Sequence, residues 1–88
     1  MTNQIKKPYN CRVCELEEIP HEYWICSICG WEDDPYQNED PDYNDGAANN
    51  LTLNQYRLIW LNYRDKIINY DNGGRKSHLV ERLFKEQK

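Results

Sequence analysis

Cys11-Arg12-Val13-Cys14 and Cys26-Ser27-Ile28-Cys29-Gly30 decide the fold of this chain. Each is a C-x-x-C turn, which sets two sulfurs on one side of a tight backbone bend. Eleven residues separate the pairs, and there is no fifth cysteine. Two such bends facing each other make the tetrahedral all-sulfur site that zinc prefers. Gly30 directly follows the second pair and can adopt the positive φ that closes such a knuckle. The expected ligands are Cys11, Cys14, Cys26 and Cys29, holding one structural Zn2+.

The rest of the composition explains why a metal is needed. The chain has 88 residues, 39% of them hydrophobic, with a mean hydropathy of −1.04. A single apolar core of that size gives marginal stability, and a structural metal is one of the usual staples. One domain over 1–88 is expected, with the metal ribbon and an acidic loop in 8–50 and a helical part in 51–88. The N-terminus has no apolar run behind Lys6 and Lys7, so no leader is expected, and no stretch approaches the length of a membrane span. The expectation is therefore a cytoplasmic protein whose thiols bind metal rather than pair as disulfides.

Outward from the cysteines, Glu15 to Glu22 reads as a loop or an edge strand, and Tyr23-Trp24-Ile25 is the best strand candidate, being aromatic and β-branched. A hairpin with a cysteine pair at each end of its connection is a zinc ribbon. From Glu32 to Asp45 there are seven acidic residues and no basic one, which reads as a solvated acidic loop. Asp40-x-Asp42-x-Asn44 imitates a calcium loop, but its glycine is displaced to Gly46 and its twelfth position is Leu51, so calcium is rejected.

A helix start is then clearly marked. Thr52 and Gln55 form a capping box, with Leu51 and Tyr56 as a hydrophobic staple. Leu53, Tyr56, Trp60, Tyr63, Ile67 and Tyr70 recur at helical spacing, widened by Ile59 and Leu61, and predict one helix ending near Tyr70 with Gly73 or Gly74 at its C-cap. Packing of Tyr56, Trp60 and Tyr63 on the ribbon and a second helix is favoured over an exposed face. Ser77 is the expected N-cap of that second, shorter helix, with Leu79, Val80, Leu83 and Phe84 apolar and 85–88 frayed. The fold class is thus small α+β: zinc-ribbon or rubredoxin-like knuckles on a short β-hairpin, an acidic loop, and one long plus one short C-terminal helix.

The chemistry the cysteines allow is narrow. Neither C-x-x-C opens a helix in a βαβ unit, as a redox dithiol requires. Iron also accepts four thiolates, but eleven intervening residues suit a ribbon better than a rubredoxin hairpin. With four protein ligands no coordination position is open, so the metal does no hydrolysis. His21 and His78 read as surface residues, and no nucleophile or phosphate-loop motif is present. The expectation is a non-enzyme.

Cys26-Ser27-Ile28-Cys29-Gly30-Trp31-Glu32-Asp33-Asp34, with Asp40-Pro41-Asp42-Tyr43, Gly46-Ala47-Ala48-Asn49 and Leu51-Thr52-Leu53-Asn54, resembles the cysteine-rich CPCC family over about residues 11–57. The resemblance implies a zinc ribbon in a small bacterial protein of no settled activity. Two positions depart from the family pattern. Arg12-Val13 stands where the family has a proline and an extra cysteine, and Ala47 stands where it usually has glycine.

Charge supplies the functional expectation. Residues 1–50 carry three basic and eleven acidic residues, a balance of −8, whereas 51–88 carry eight and four, a balance of +4. The leading expectation is a zinc-stabilised interaction module of immunity or antitoxin type. Its acidic surface, with Trp31, Glu32, Asp33, Asp34, Asp40, Asp42 and Asp45, would bind a basic protein such as a toxin or nuclease. One alternative is a nucleic-acid-binding ribbon using Arg57, Arg64, Lys66, Arg75, Lys76 and Arg82. Another is a rubredoxin-like iron electron carrier.

Overall fold

Both cysteine pairs sit at the tips of small antiparallel hairpins in the computed structural model, which describes residues 9–71 and 75–87. The first hairpin pairs β1 (Tyr9–Asn10) with β2 (Glu18–Ile19), in the register Tyr9 to Ile19 and Asn10 to Glu18. The second closes through the single bridge Ile25 to Glu32, flanked by the bonds Tyr23 N–H to Asp33 O (2.7 Å) and Asp33 N–H to Trp24 O (3.0 Å). The best strand candidate is therefore corrected. Tyr23 has φ +65°, which interrupts an extended chain, and Tyr23 and Trp24 point outward rather than into a core. The pairing strand lies instead in the segment read as a loop or edge.

The knuckles repeat one backbone pattern. Cys11 N–H donates to Glu17 O and Glu15 N–H returns to Cys11 O; Cys26 N–H donates to Trp31 O and Gly30 N–H returns to Cys26 O. The residue after each second cysteine is left-handed, at φ +62° for Glu15 and +89° for Gly30. They differ in what surrounds them. Glu15 is exposed, whereas a Cβ on Gly30 would lie 2.8 Å from Lys76 Cβ and 2.9 Å from the Ser77 backbone nitrogen. Gly30→Ala is therefore expected to cost about 2–3 kcal/mol in denaturant unfolding, from left-handed strain plus the clash. Glu15→Gly is expected to be neutral or stabilising by up to about 1 kcal/mol.

The acidic segment contains a helix, α1 (Pro35–Glu39), with Asp34 as N-cap and Pro35 in its first turn, the arrangement that satisfies orphan N–H groups without needing the one proline lacks. The capping box on α2 (Leu53–Asn62) is complete, both Thr52–Gln55 bonds being made. The single long helix is corrected to two: Tyr63 adopts φ −134°, ψ 34°, and α3 (Arg64–Ile68) follows. The stripe still buries Leu53, Tyr56, Ile59, Trp60 and Ile67, with Tyr63 and Tyr70 packed at its margin, but Leu61 is 67% exposed. The second helix, α4 (Lys76–Lys85), is as long as α2; Arg75 is its N-cap, without a side-chain bond, and Ser77 falls inside its first turn. It buries Leu79, Val80 and Leu83 against α2 and α3. Lys76 Nζ donates to Ile67 O (2.9 Å) and Ile68 O (2.8 Å), placing an ammonium on the carbonyl end of α3. The expectations for residues 1–8, for Gly73 and Gly74, and for Lys88 lie outside the described residues.

Candidate metal centre and the polar network behind it

The two knuckles bring Cys11, Cys14, Cys26 and Cys29 together, all four buried. Their sulfurs lie within 4.8 Å of one another, with Cys11–Cys29 and Cys14–Cys26 separations of 3.6 Å. A tetrahedron of Zn–S bonds sets its sulfurs about 3.8 Å apart, so the cluster has the size and donor set of a structural Zn2+ site. Val13 N–H and Leu16 N–H point at Cys11 Sγ and Cys14 Sγ, each at 3.4 Å, which favours thiolate over thiol. Hydrogen bonding among the four sulfurs couples their titrations into one set. Sulfurs this close carry four charges only around a cation.

The centre is joined to the helices and to the first hairpin. Tyr56 O–H, buried on α2, donates to Cys29 O at 2.8 Å, and its ring meets Trp31 edge-on at 5.1 Å. The Glu17 carboxylate accepts from Trp24 Nε1 (2.8 Å), from Ser27 N–H (3.1 Å) and from Ser27 Oγ. These bonds hold it below the usual carboxylate range despite the opposing effect of partial burial. The residues from the second knuckle to α1 then alternate in role, and none is left over. Trp31 is in the core, and Glu32 pairs with Ile25. Asp33 Oδ2 accepts from Tyr9 O–H at 2.5 Å and Oδ1 from Asn38 Nδ2 at 2.8 Å. Asp34 caps α1 through Tyr36 N–H (2.8 Å) and also accepts from Ala48 N–H (2.9 Å).

The chain segment with this polar core belongs to a recognised group. The profile described as cysteine-rich CPCC matches residues 9–65, about two thirds of the sequence. The chain belongs to the cysteine-rich CPCC family. The match runs from β1 to the first two residues of α3, wider than the motifs alone suggested, and it takes in both knuckles, the buried carboxylates and α2. No curated protein matches the sequence.

Several residues expected on a docking surface are thus inside this CPCC fold. Trp31 is 1%, Asp33 0% and Asp34 3% exposed, and the solvated acidic loop is corrected to a carboxylate-capped, partly buried one. Glu32 is half-buried; Asp40, Asp42 and Asp45 are at the surface. Asp42 Oδ1 accepts from Asn54 Nδ2 at 2.9 Å, and Pro41 O accepts from Asn54 N–H at 3.1 Å, tying this stretch to the start of α2.

The network's centre, Gln37, was not singled out in the sequence. Fully buried, it donates Nε2 to the carbonyls of Tyr43 (3.1 Å), Asn49 (3.3 Å) and Leu51 (3.0 Å), and Oε1 accepts from Asn49 N–H (3.2 Å) and Asn49 Nδ2 (2.8 Å). Asn49 in turn exchanges two bonds with the Glu32 backbone, at 3.0 and 2.8 Å. Asp34-Pro35, an N-cap before a first-turn proline, is the signal that reveals α1; nothing local marks Gln37 as buried.

Burial, followed by the bond to Asp33, pushes the Tyr9 phenol up to about 12. The folded state therefore favours the protonated phenol. Its contribution is whole below about pH 10, the ordinary tyrosine value, and is lost as pH rises through about 12. Stability measured from pH 9 to pH 12 is expected to fall less steeply in Tyr9→Phe than in the parent, after allowance for the lower starting stability.

Proposed function

We propose that this chain is a non-enzymatic interaction module, held in shape by zinc, that docks onto a basic protein partner in the manner of an immunity protein or antitoxin. The supporting observation is an exposed set of large side chains on the metal-binding half. Leu16, Tyr23, Trp24, Ile25 and Tyr36 are all open to solvent, among the exposed carboxylates of Glu15, Glu18, Glu22, Glu39, Asp40, Asp42 and Asp45. Aromatic side chains at a protein surface anchor interfaces, and carboxylates around them steer a basic partner into place. The closed four-sulfur centre supports the non-enzymatic part of this reading, because it leaves no coordination position for substrate. Capture by the zinc-loaded protein from native-host extract, with mass spectrometry, tests it. The expected result is a protein with a basic surface, released by raised salt, whose activity falls when the module is added. Recovery of nucleic acid alone, or of nothing, would overturn the proposal.

The nucleic-acid alternative is less well supported. Arg57 Nε donates to Arg12 O at 2.8 Å, Arg64 lies 5.6 Å over the Trp60 ring, and Lys76 holds the end of α3. Three of the six cations it invokes thus have structural duties. A flat titration with RNA and DNA at low salt is expected. For the iron alternative, a colourless protein with one equivalent of zinc is expected.

A further inference from the structure

Two clefts lie back to back on the metal-binding half, and Tyr23 and Tyr36 line both. The larger, of about 570 Å³, also has Tyr9, Glu22 and Glu39 in its wall; the other, of about 370 Å³, has Glu32 and Tyr43. Tyr36 is 67% exposed in the first turn of α1, and its ring lies 6.4 Å from that of Tyr43. Tyr23 is held left-handed by its bond to Asp33 O. A tyrosine there costs of order 1–3 kcal/mol in backbone strain. Burial of the ring does not offset this, because Tyr23 stays 45% exposed. The outlier is best explained by where it holds the ring.

The chemistry of the walls selects the occupant. Among the described residues carboxylates outnumber cations, Arg12 being the one basic residue lining either cleft. That guanidinium already lies over the Tyr9 ring, 4.8 Å from its centroid, and shows what these rings accept. The ring of Tyr23, exposed at the cleft wall, offers an electron-rich face. Aromatic faces within reach of carboxylates bind cationic side chains through ring quadrupole and charge together.

We infer that the paired clefts astride Tyr23 and Tyr36 are the recognition site for arginine side chains of the partner protein, one on each side of the aromatic wall. This rests on the interaction-module reading and adds the site and the group recognised.

The test uses the full zinc-loaded chain and a short peptide with two arginines, compared with the same peptide carrying neutral citrulline. Saturable binding of the arginine peptide is expected, with chemical-shift changes at Tyr23, Tyr36 and Tyr43. Binding should weaken about tenfold in Tyr23→Ser/Tyr36→Ser and fall with added salt. Zinc content and the circular dichroism of the variant, both unchanged at these exposed positions, separate lost recognition from lost fold; Tyr36→Ser alone, which leaves the left-handed residue intact, serves if the double variant unfolds. Equal binding of the two peptides, unaltered binding in the variants, or no binding at millimolar peptide would each overturn the site. The two proposals fail separately. A basic partner captured equally by parent and variant removes the clefts and leaves the interaction reading; no basic partner captured by the parent removes the reading itself.

Discussion

Removing zinc is expected to unfold this protein outright. Structural zinc in zinc-finger peptides contributes roughly 10–16 kcal/mol of apparent binding free energy at neutral pH, and the total stability of a domain this small is about 5–10 kcal/mol. The metal term is therefore larger than the stability it underwrites. Excess chelator should abolish the cooperative thermal transition and the near-ultraviolet signal of Trp31 and Tyr56, which pack together beside the knuckle. Cys29→Ser should do the same at ordinary zinc concentrations, since it removes one of the four sulfur ligands at a fully buried position. The effect has a pH dependence of defined sign. Zinc binds thiolates, so acidification competes protons against metal and stability falls with falling pH. A chelated protein that retains a sharp transition would show that the helices carry the fold and that the knuckles are an appendage.

Gln37→Leu is expected to be the most damaging substitution away from the cysteines, at about 3–5 kcal/mol. Leucine matches the volume of glutamine but meets none of its five bonds, so the carbonyls of Tyr43, Asn49 and Leu51 and the N–H and amide of Asn49 lose a partner together. Each buried polar group left unpaired costs about 1–3 kcal/mol, with partial relaxation reducing the sum. Urea unfolding at saturating zinc measures it, and Asp45→Asn at the surface should stay within about 0.5 kcal/mol as the control. Hydrogen exchange should quicken from Tyr43 to Leu51 while the Cys11 and Cys26 amides stay protected, because their bonds lie within the knuckles. A loss below about 1 kcal/mol would mean that water replaces the glutamine and that the segment is not buried in solution.

What was legible in the sequence is what local chemistry controls. The cysteine spacing requires two facing knuckles, and Gly30 is left-handed where a Cβ has no room. Thr52 and Gln55 cap α2 because both partners lie within one helical turn. Leu53, Tyr56, Trp60 and Ile67 are buried as their spacing demands. Signals that depend on distant partners misled. Tyr23-Trp24-Ile25 has strand propensity, but the second knuckle pairs only Ile25, and the left-handed Tyr23 ends the run. The stripe to Tyr70 is continuous in sequence, yet the helix bends at Tyr63 before Ile67 is buried beside α4.

The carboxylates mark the boundary between the two kinds of knowledge. Composition alone makes residues 32–45 acidic and so, by default, solvated. Asp33 and Asp34 are buried because Tyr9, Asn38, Tyr36 and Ala48, up to 24 residues away in sequence, bring donors to all four of their oxygens. A carboxylate enters a protein interior only when such donors replace its water, and which donors arrive is a property of the assembled chain. The sequence by itself determined the two cysteine knuckles and the start of α2, where the partners are neighbours. Only the tertiary structure decided which acids lie inside and which stay at the surface beside Tyr23 and Tyr36.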